Sequence, residues 1–214
     1  MGSIADPTTF SFLPTKNIAT GKGGTVASPH SDLLRRAKRF ARQGLIREQT
    51  EFLLVSEGTW HQEVHEVGLN HHLTDMQAAF GRSQLARLSW FRDKRAEIKA
   101  LYDAGFHGIE GVRVSTQRDQ ISPVWHLYPL MVPASLRPSI LSTLRDAELG
   151  LQVNDIPAHR HPATQGLANP DATPVSEAFY AEEISLPIHT KLSTDDVLYI
   201  IEHLRRALAG HVIE

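Results

Sequence analysis

The stretch Ser11-Phe12-Leu13-Pro14-Thr15-Lys16-Asn17-Ile18-Ala19-Thr20-Gly21-Lys22-Gly23-Gly24 sets a lysine between an aromatic-rich extended segment and a glycine turn. Lysine attacks carbonyls only as the neutral amine, so a reactive one needs desolvation or a neighbouring cation to lower its proton affinity. Phe10, Phe12, Leu13 and Pro14 offer an apolar wall beside Lys16. Ser11, Asn17, Thr20 and the turn from Gly21 to Gly24 offer hydroxyls and amides of the kind that bind phosphate. On composition alone the stretch reads first as a surface lysine beside a loop. Gly21-Lys22 is not a Walker loop, because Lys16 stands where the first glycine belongs and Gly23 follows Lys22 in place of Ser or Thr.

Beyond this stretch, Ser31 is placed as an N-cap ahead of Leu33, Leu34, Ala37, Phe40 and Ala41, an apolar face predicting a helix that ends at Gly44. Residues 45–70 show little periodicity and are expected to be irregular. Thr74 and Gln77 stand at capping-box spacing. Met76, Ala79, Phe80, Ser83, Leu88, Phe91, Ile98 and Leu101 then recur at roughly helical intervals as far as Tyr102. That pattern predicts one helix of about 28 residues, some 40 Å long. Past Gly105, Gly108 and Gly111, the run from Trp125 to Val132 reads as a strand whose Pro129 implies an edge position or a bulge. Leu136, Ile140, Leu144 and Ala147 mark a helix, residues 150–153 a short strand, and 155–175 a long loop. Ser193 and Asp196 cap a final helix with the face Val197, Ile200, Ile201, Leu204 and Leu208. The expected fold class is α/β, divided into 1–104, which ends in the long connecting helix, and a compact C-terminal α/β domain at 105–214.

With 22 basic and 24 acidic side chains the net charge is −2, which predicts no broad attraction to nucleic acid or anionic membrane. Cysteine is absent, so disulfides and thiolate metal sites are excluded. No apolar run approaches the ~20 residues that span a bilayer. Met1 to Pro7 lack the basic and apolar regions of a signal peptide, and the cytoplasm is the expected location. Of the 12 histidines, His61, His65, His71 and His72 crowd one segment. His61 and His65 with Glu63 invite a zinc reading, but the acid sits at the middle position and matches no metalloprotease helix pattern. His159-Arg160-His161 is a similar weak lead, and no metal is expected. Asn70-His71-His72 precede a capped helix start, where free amides favour an anion.

Four ordered segments resemble one family. They are the lysine stretch; Gly68-Leu69-Asn70-His71-His72-Leu73-Thr74-Asp75-Met76-Gln77-Ala78-Ala79-Phe80-Gly81 with Ser83-Gln84-Leu85; Trp125-His126-Leu127-Tyr128-Pro129; and the run from Ala178 to Pro187. Together they look like the DegT/StrS-type nucleotide-sugar aminotransferases, which depend on pyridoxal 5'-phosphate and have the aspartate-aminotransferase fold (fold type I). The stretch from Trp60 to Gly81 looks most like the branch that aminates a UDP-linked 4-keto-6-deoxy amino sugar on the route to pseudaminic acid. The resemblance implies the end of the large domain followed by the small C-terminal domain. It implies that Lys16 is the catalytic lysine and holds the cofactor, that Ser11 binds its phosphate, and that Asn70 reaches the phosphate in a partner subunit's site. His72, His126 and His159 are implied on the substrate side. A nucleotide-sugar substrate, glutamate as amino donor and a homodimer with shared sites follow from it.

The chain also departs from the family. Leu69 and His72 stand where Tyr or Phe and Arg are usual, Lys22 replaces a glutamate, and Asn154-Asp155 replaces His-Tyr. The family places about 170 residues, the length of an ordinary domain, before this lysine. They include the aspartate that keeps the pyridine nitrogen protonated, to which Asp6 does not correspond. A truncated or split aminotransferase, paired with a separate N-terminal half and inactive alone, is therefore the expectation. The alternatives are a non-catalytic relative that keeps only dimerisation or binding surfaces, and a histidine-rich metal-binding module.

Overall fold

β1 (Thr8–Ser11) pairs antiparallel with β2 (Gly24–Ala27), with Ser11 opposite Gly24. The lysine stretch is thus the loop of a hairpin. Gly24 is required there, since a Cβ would stand 2.6 Å from the Phe10 carbonyl oxygen. The computed structural model describes residues 2–164, 166–167 and 172–210 and divides into two units, Met1–Leu88 and Ser89–Glu214. The division falls after Leu88, inside the stretch predicted as one long helix, and not after residue 104.

In the first unit α1 spans Ser31–Phe40, with His30 and not Ser31 at the N-cap. Gly44 follows its end with φ +76°, its N–H bonded to Arg39 O at 2.9 Å. A Cβ at Gly44 would lie 1.7 Å from Glu66 O, so only glycine permits this approach. The expected irregularity of 45–70 is relieved by β3 (Leu45–Ile46) paired with β4 (Glu63–Val64) and by a 3-10 turn, Gln49–Glu51. α2 (Asp75–Ala86) has the predicted capping box: Gln77 N–H donates to Thr74 Oγ1 at 3.3 Å, and Thr74 N–H to Gln77 Oε1 at 3.1 Å.

The single long helix predicted from periodicity is two. α2 stops at Arg87, whose φ of −102° and ψ of 3° leave helical geometry, and α3 runs Leu88–Phe106. The two segments do not share a face. α2 buries no residue, with Met76 83% exposed, whereas α3 buries Phe91, Arg95, Ile98, Tyr102 and Phe106.

The second unit has a three-stranded antiparallel sheet in the order β5 (Arg113–Val114), β6 (Tyr128–Met131), β7 (Glu183–Leu186). The helices α4 (Arg137–Asp146), α5 (Pro174–Glu182) and α6 (Thr194–Ala209) complete it. Tyr102, Tyr128, Leu130, Ile140, Ile184 and Leu204 are fully buried in one core. Tyr102 Oη donates to Pro187 O and Tyr128 Oη to Asp103 Oδ1, both at 2.8 Å, and burial pushes both phenols above their usual range. The face read for α6 is buried throughout, and Ser193 with Asp196 forms its capping box.

Three readings of this unit change. The strand at 125–132 shortens to Tyr128–Met131. Its Pro129 lies in the central strand and not at an edge, tolerated because β5 pairs only with Leu130 and Met131. Residues 150–153 give a single bridge, Gln152 to Ser185, in place of a strand. β7 escaped the alternation rule because all four of its residues are buried, including Glu183. Burial raises the Glu183 carboxyl, against hydrogen bonds from Ser185 and the Asn154 amide and the charge of Arg137.

Candidate functional site

Lys16 sits in a tight turn within the hairpin loop, where its N–H bonds to Leu13 O at 2.9 Å. The loop is closed at its base by Phe12 N–H to Gly23 O (2.9 Å) and Thr20 N–H to Phe12 O (3.0 Å). Two positive-φ glycines, Gly21 (+82°) and Gly23 (+124°), turn the chain back into β2. Lys16 is half-buried and Ser11 exposed. Thr20, read as a phosphate-binding hydroxyl, is only 5% exposed and donates its hydroxyl to Lys22 O at 2.6 Å. It braces the loop instead. Gln77 of α2 donates its Nε2 to the same carbonyl at 3.1 Å. The capping spacing Thr74–Gln77 and the mid-helix Gly81 were the sequence signals of this seat, but the partner across the chain was not readable.

Asn70 is exposed, and its backbone is fixed by an antiparallel bridge to Arg42. Leu69 N–H bonds to Phe40 O (2.7 Å) and His71 N–H to Ala41 O (2.9 Å), so the end of α1 holds the Asn70 segment. His72 follows, exposed, before the α2 cap. Lys16, Ser11, Asn70 and His72 all lie in the first unit, whereas His126 and His159 lie in the second. His126 is exposed and precedes β6. His159 Nε2 lies 2.5 Å from Glu177 Oε1, where Arg160 also pairs, so His159 is engaged by its own unit. Asp6, no equivalent of the family aspartate, faces His30 at 3.2 Å.

The His61-Gln62-Glu63-Val64-His65 segment closes around its own acid. Leu53 and Leu54 N–H each donate to Glu63 at 2.8 Å, and His61 and His65 Nε2 approach it at 3.2 and 2.5 Å. Burial alone would raise this carboxyl. The hydrogen bonds from Leu53, His65, Leu54 and His61 outweigh it and hold the pKa at about 2. Among the described residues no group of three His, Cys, Asp or Glu is arranged to hold a metal.

The chemistry of three of these side chains is of the kind an aldehyde-bearing phosphate ester would need: Lys16, half-buried, carries a primary amine, Ser11 a hydroxyl and Asn70 a carboxamide. None of these three side chains has an intramolecular hydrogen bond or ion pair among the described residues.

A mixed helix-and-sheet chain with such a lysine hairpin belongs to a recognisable class, the sugar aminotransferases of fold type I. Residues 1–205 match the DegT/DnrJ/EryC1/StrS aminotransferase family, and the chain belongs to it. The spore coat polysaccharide biosynthesis protein SpsC of Bacillus subtilis is 34% identical over 218 residues, 98% of this chain and 56% of SpsC. The UDP-4-amino-4,6-dideoxy-N-acetyl-β-L-altrosamine transaminase of Campylobacter jejuni (strain 81-176) is 27% identical, covering 95% of this chain and 53% of the transaminase. The sugar aminotransferase Spr1654 of Streptococcus pneumoniae, solved in a PLP form, superposes with a TM-score of 0.85 at 27% identity, over 98% of this chain and 53% of Spr1654. The chain spans about half the length of the curated relatives it matches. No helix among the described residues is long and apolar enough to cross a membrane.

Proposed function

We propose that this chain carries the cofactor-lysine side of a pyridoxal-phosphate-dependent aminotransferase that acts on a UDP-linked 4-keto-6-deoxy amino sugar, with glutamate as amino donor. The observation that carries this reading is Lys16, held half-buried in a hairpin loop that glycines, Thr20 and Gln77 pin in place. The substrate class is supported by the name of the Campylobacter relative. In this reading Lys16 Nζ would hold the cofactor carbonyl and move a proton between donor and sugar carbons. Ser11 Oγ and the Asn70 amide would hold the phosphate, Asn70 in the site of a second copy of the chain. When bound, pyridoxal phosphate supplies the electron sink for carbon–hydrogen bond cleavage. His72 and His126 stand on the substrate side in this reading.

A second reading, a relative that binds but does not catalyse, is favoured by Asn154. Where the family usually has a histidine, Asn154 donates its Nδ2 to Ser185 Oγ and its N–H to Glu183, both at 2.9 Å. The position is a strut of the second unit. Incubation with pyridoxal phosphate, borohydride reduction and assay of sugar amination with glutamate separate the two. The aminotransferase reading expects cofactor fixed on Lys16 and amine transferred to the sugar. In the chain's native assembly, cofactor uptake without transfer supports the second reading, and absence of both refutes the first.

A further inference from the structure

The motif that contains Gln77 is matched by the family resemblance, but no role follows from it. In the structure the Gln77 side chain does two things at once. Its Oε1 accepts the Thr74 N–H at 3.1 Å and completes the helix cap, while its Nε2 donates to Lys22 O at 3.1 Å. The same carbonyl accepts Thr20 Oγ1 at 2.6 Å, so both its lone pairs are used. Two close approaches flank this bond: a Cβ on Gly81 would lie 3.0 Å from Thr20 Cγ2, and one on Gly23 would lie 2.7 Å from Leu73 Cδ1. The residues that turn the lysine loop back into β2 are therefore seated against the first turns of α2 by a hydrogen bond and two tight contacts.

We propose that Gln77 is a positioning residue that locks the Lys16 loop to the N-terminus of α2, so that the lysine is presented from a preformed loop. This rests on the reading of Lys16 as the cofactor lysine. The chemistry of the amide is specific to the task. Glutamate can serve as the third residue of a capping box as well as glutamine does, but it has no N–H for the Lys22 carbonyl. A carboxylate there would face, with no proton to share, the carbonyl lone pair that Nε2 now uses.

Three substitutions separate the two duties of Gln77. Q77E keeps the cap and removes the tie, T74A removes the Thr74 Oγ1 half of the cap and keeps the tie, and Q77M removes the tie and the Oε1 half of the cap without adding charge. The readouts are amide hydrogen exchange of the protein without cofactor, and the rate at which pyridoxal phosphate becomes borohydride-fixed on Lys16. Q77E and Q77M should speed exchange at the Phe12 and Thr20 amides roughly fivefold, the factor for one hydrogen bond of ordinary strength. Both should slow fixation on Lys16, while T74A loosens the first turn of α2 and leaves loop and fixation unchanged. Loop exchange in Q77E equal to that of the wild type, or an equal loosening by T74A, would overturn the proposal. Wild-type protein that takes no cofactor on Lys16 refutes the assignment of Lys16, and loop exchange in the same preparation still decides the tie.

Discussion

Replacing Gly81 by alanine probes the seat of the lysine loop on α2 through the sign of its effect. In the interior of a helix Gly→Ala ordinarily stabilises by about 0.8–1 kcal/mol. Gly81 lies mid-helix in Asp75–Ala86, so that gain is available. Against it, the new Cβ would stand 3.0 Å from Thr20 Cγ2, and Thr20 is 5% exposed and tied through its hydroxyl to Lys22 O. Overpacking a tight contact costs about 1–3 kcal/mol. The balance places G81A between neutral and about 2 kcal/mol destabilising. T20S removes Cγ2 and keeps the hydroxyl, so G81A made on T20S should recover the stabilisation of about 0.8–1 kcal/mol. Urea unfolding of wild type, G81A, T20S and the double variant gives the coupling as a double-mutant cycle, expected at about 1–3 kcal/mol. If G81A stabilises equally in both backgrounds, with a coupling below about 0.4 kcal/mol, the loop is not seated on α2 as described.

Two further perturbations test parts away from the loop. The Glu63 pKa is lowered from 4.5 to about 2 in the fold, so the stability it contributes is present above pH 4.5 and is lost as the pH falls toward 2. Protection of the Leu53 and Leu54 amides, taken relative to their intrinsic exchange at each pH, should fall through that window, and E63Q should lower it at neutral pH. In the second unit Y102F removes the donor to Pro187 O, which should cost about 1–2 kcal/mol in urea unfolding. A change below about 0.3 kcal/mol would mean that the carbonyl is satisfied elsewhere.

The parts of the fold that sequence revealed are those in which a local pattern and a tertiary contact coincide. The α6 face, the two capping boxes and the glycines of the lysine hairpin were all legible, because each depends on residues within a turn or two. Periodicity misled at Arg87: helical spacing continues across it although only α3 turns that face inward. β7 was hidden because a strand buried on both faces does not alternate, and Glu183 within it reads as polar. The histidine segment shows the same limit at a site. Its spacing invites a zinc reading and the middle position of the acid argues against one, but neither reveals that the partners claiming Glu63 include the Leu53 and Leu54 amides, ten and nine residues away, which no short motif encodes. Lys16 is singled out in the sequence by resemblance alone. The hydrogen bond from Gln77 to Lys22 O, across 55 positions of the same loop-to-helix seam, is not readable there.

The central claim is that Lys16 alone among the lysines is the cofactor residue, and the chain contains its own controls. There are six lysines, at 16, 22, 38, 94, 99 and 191, and Lys22 shares the loop but is fully exposed. Pyridoxal phosphate at a concentration near that of the protein, reduction with borohydride and peptide mapping give the distribution of label among them. Label concentrated on Lys16 and abolished by K16R is the predicted result. Label spread over the exposed lysines, or favouring Lys22, would contradict it.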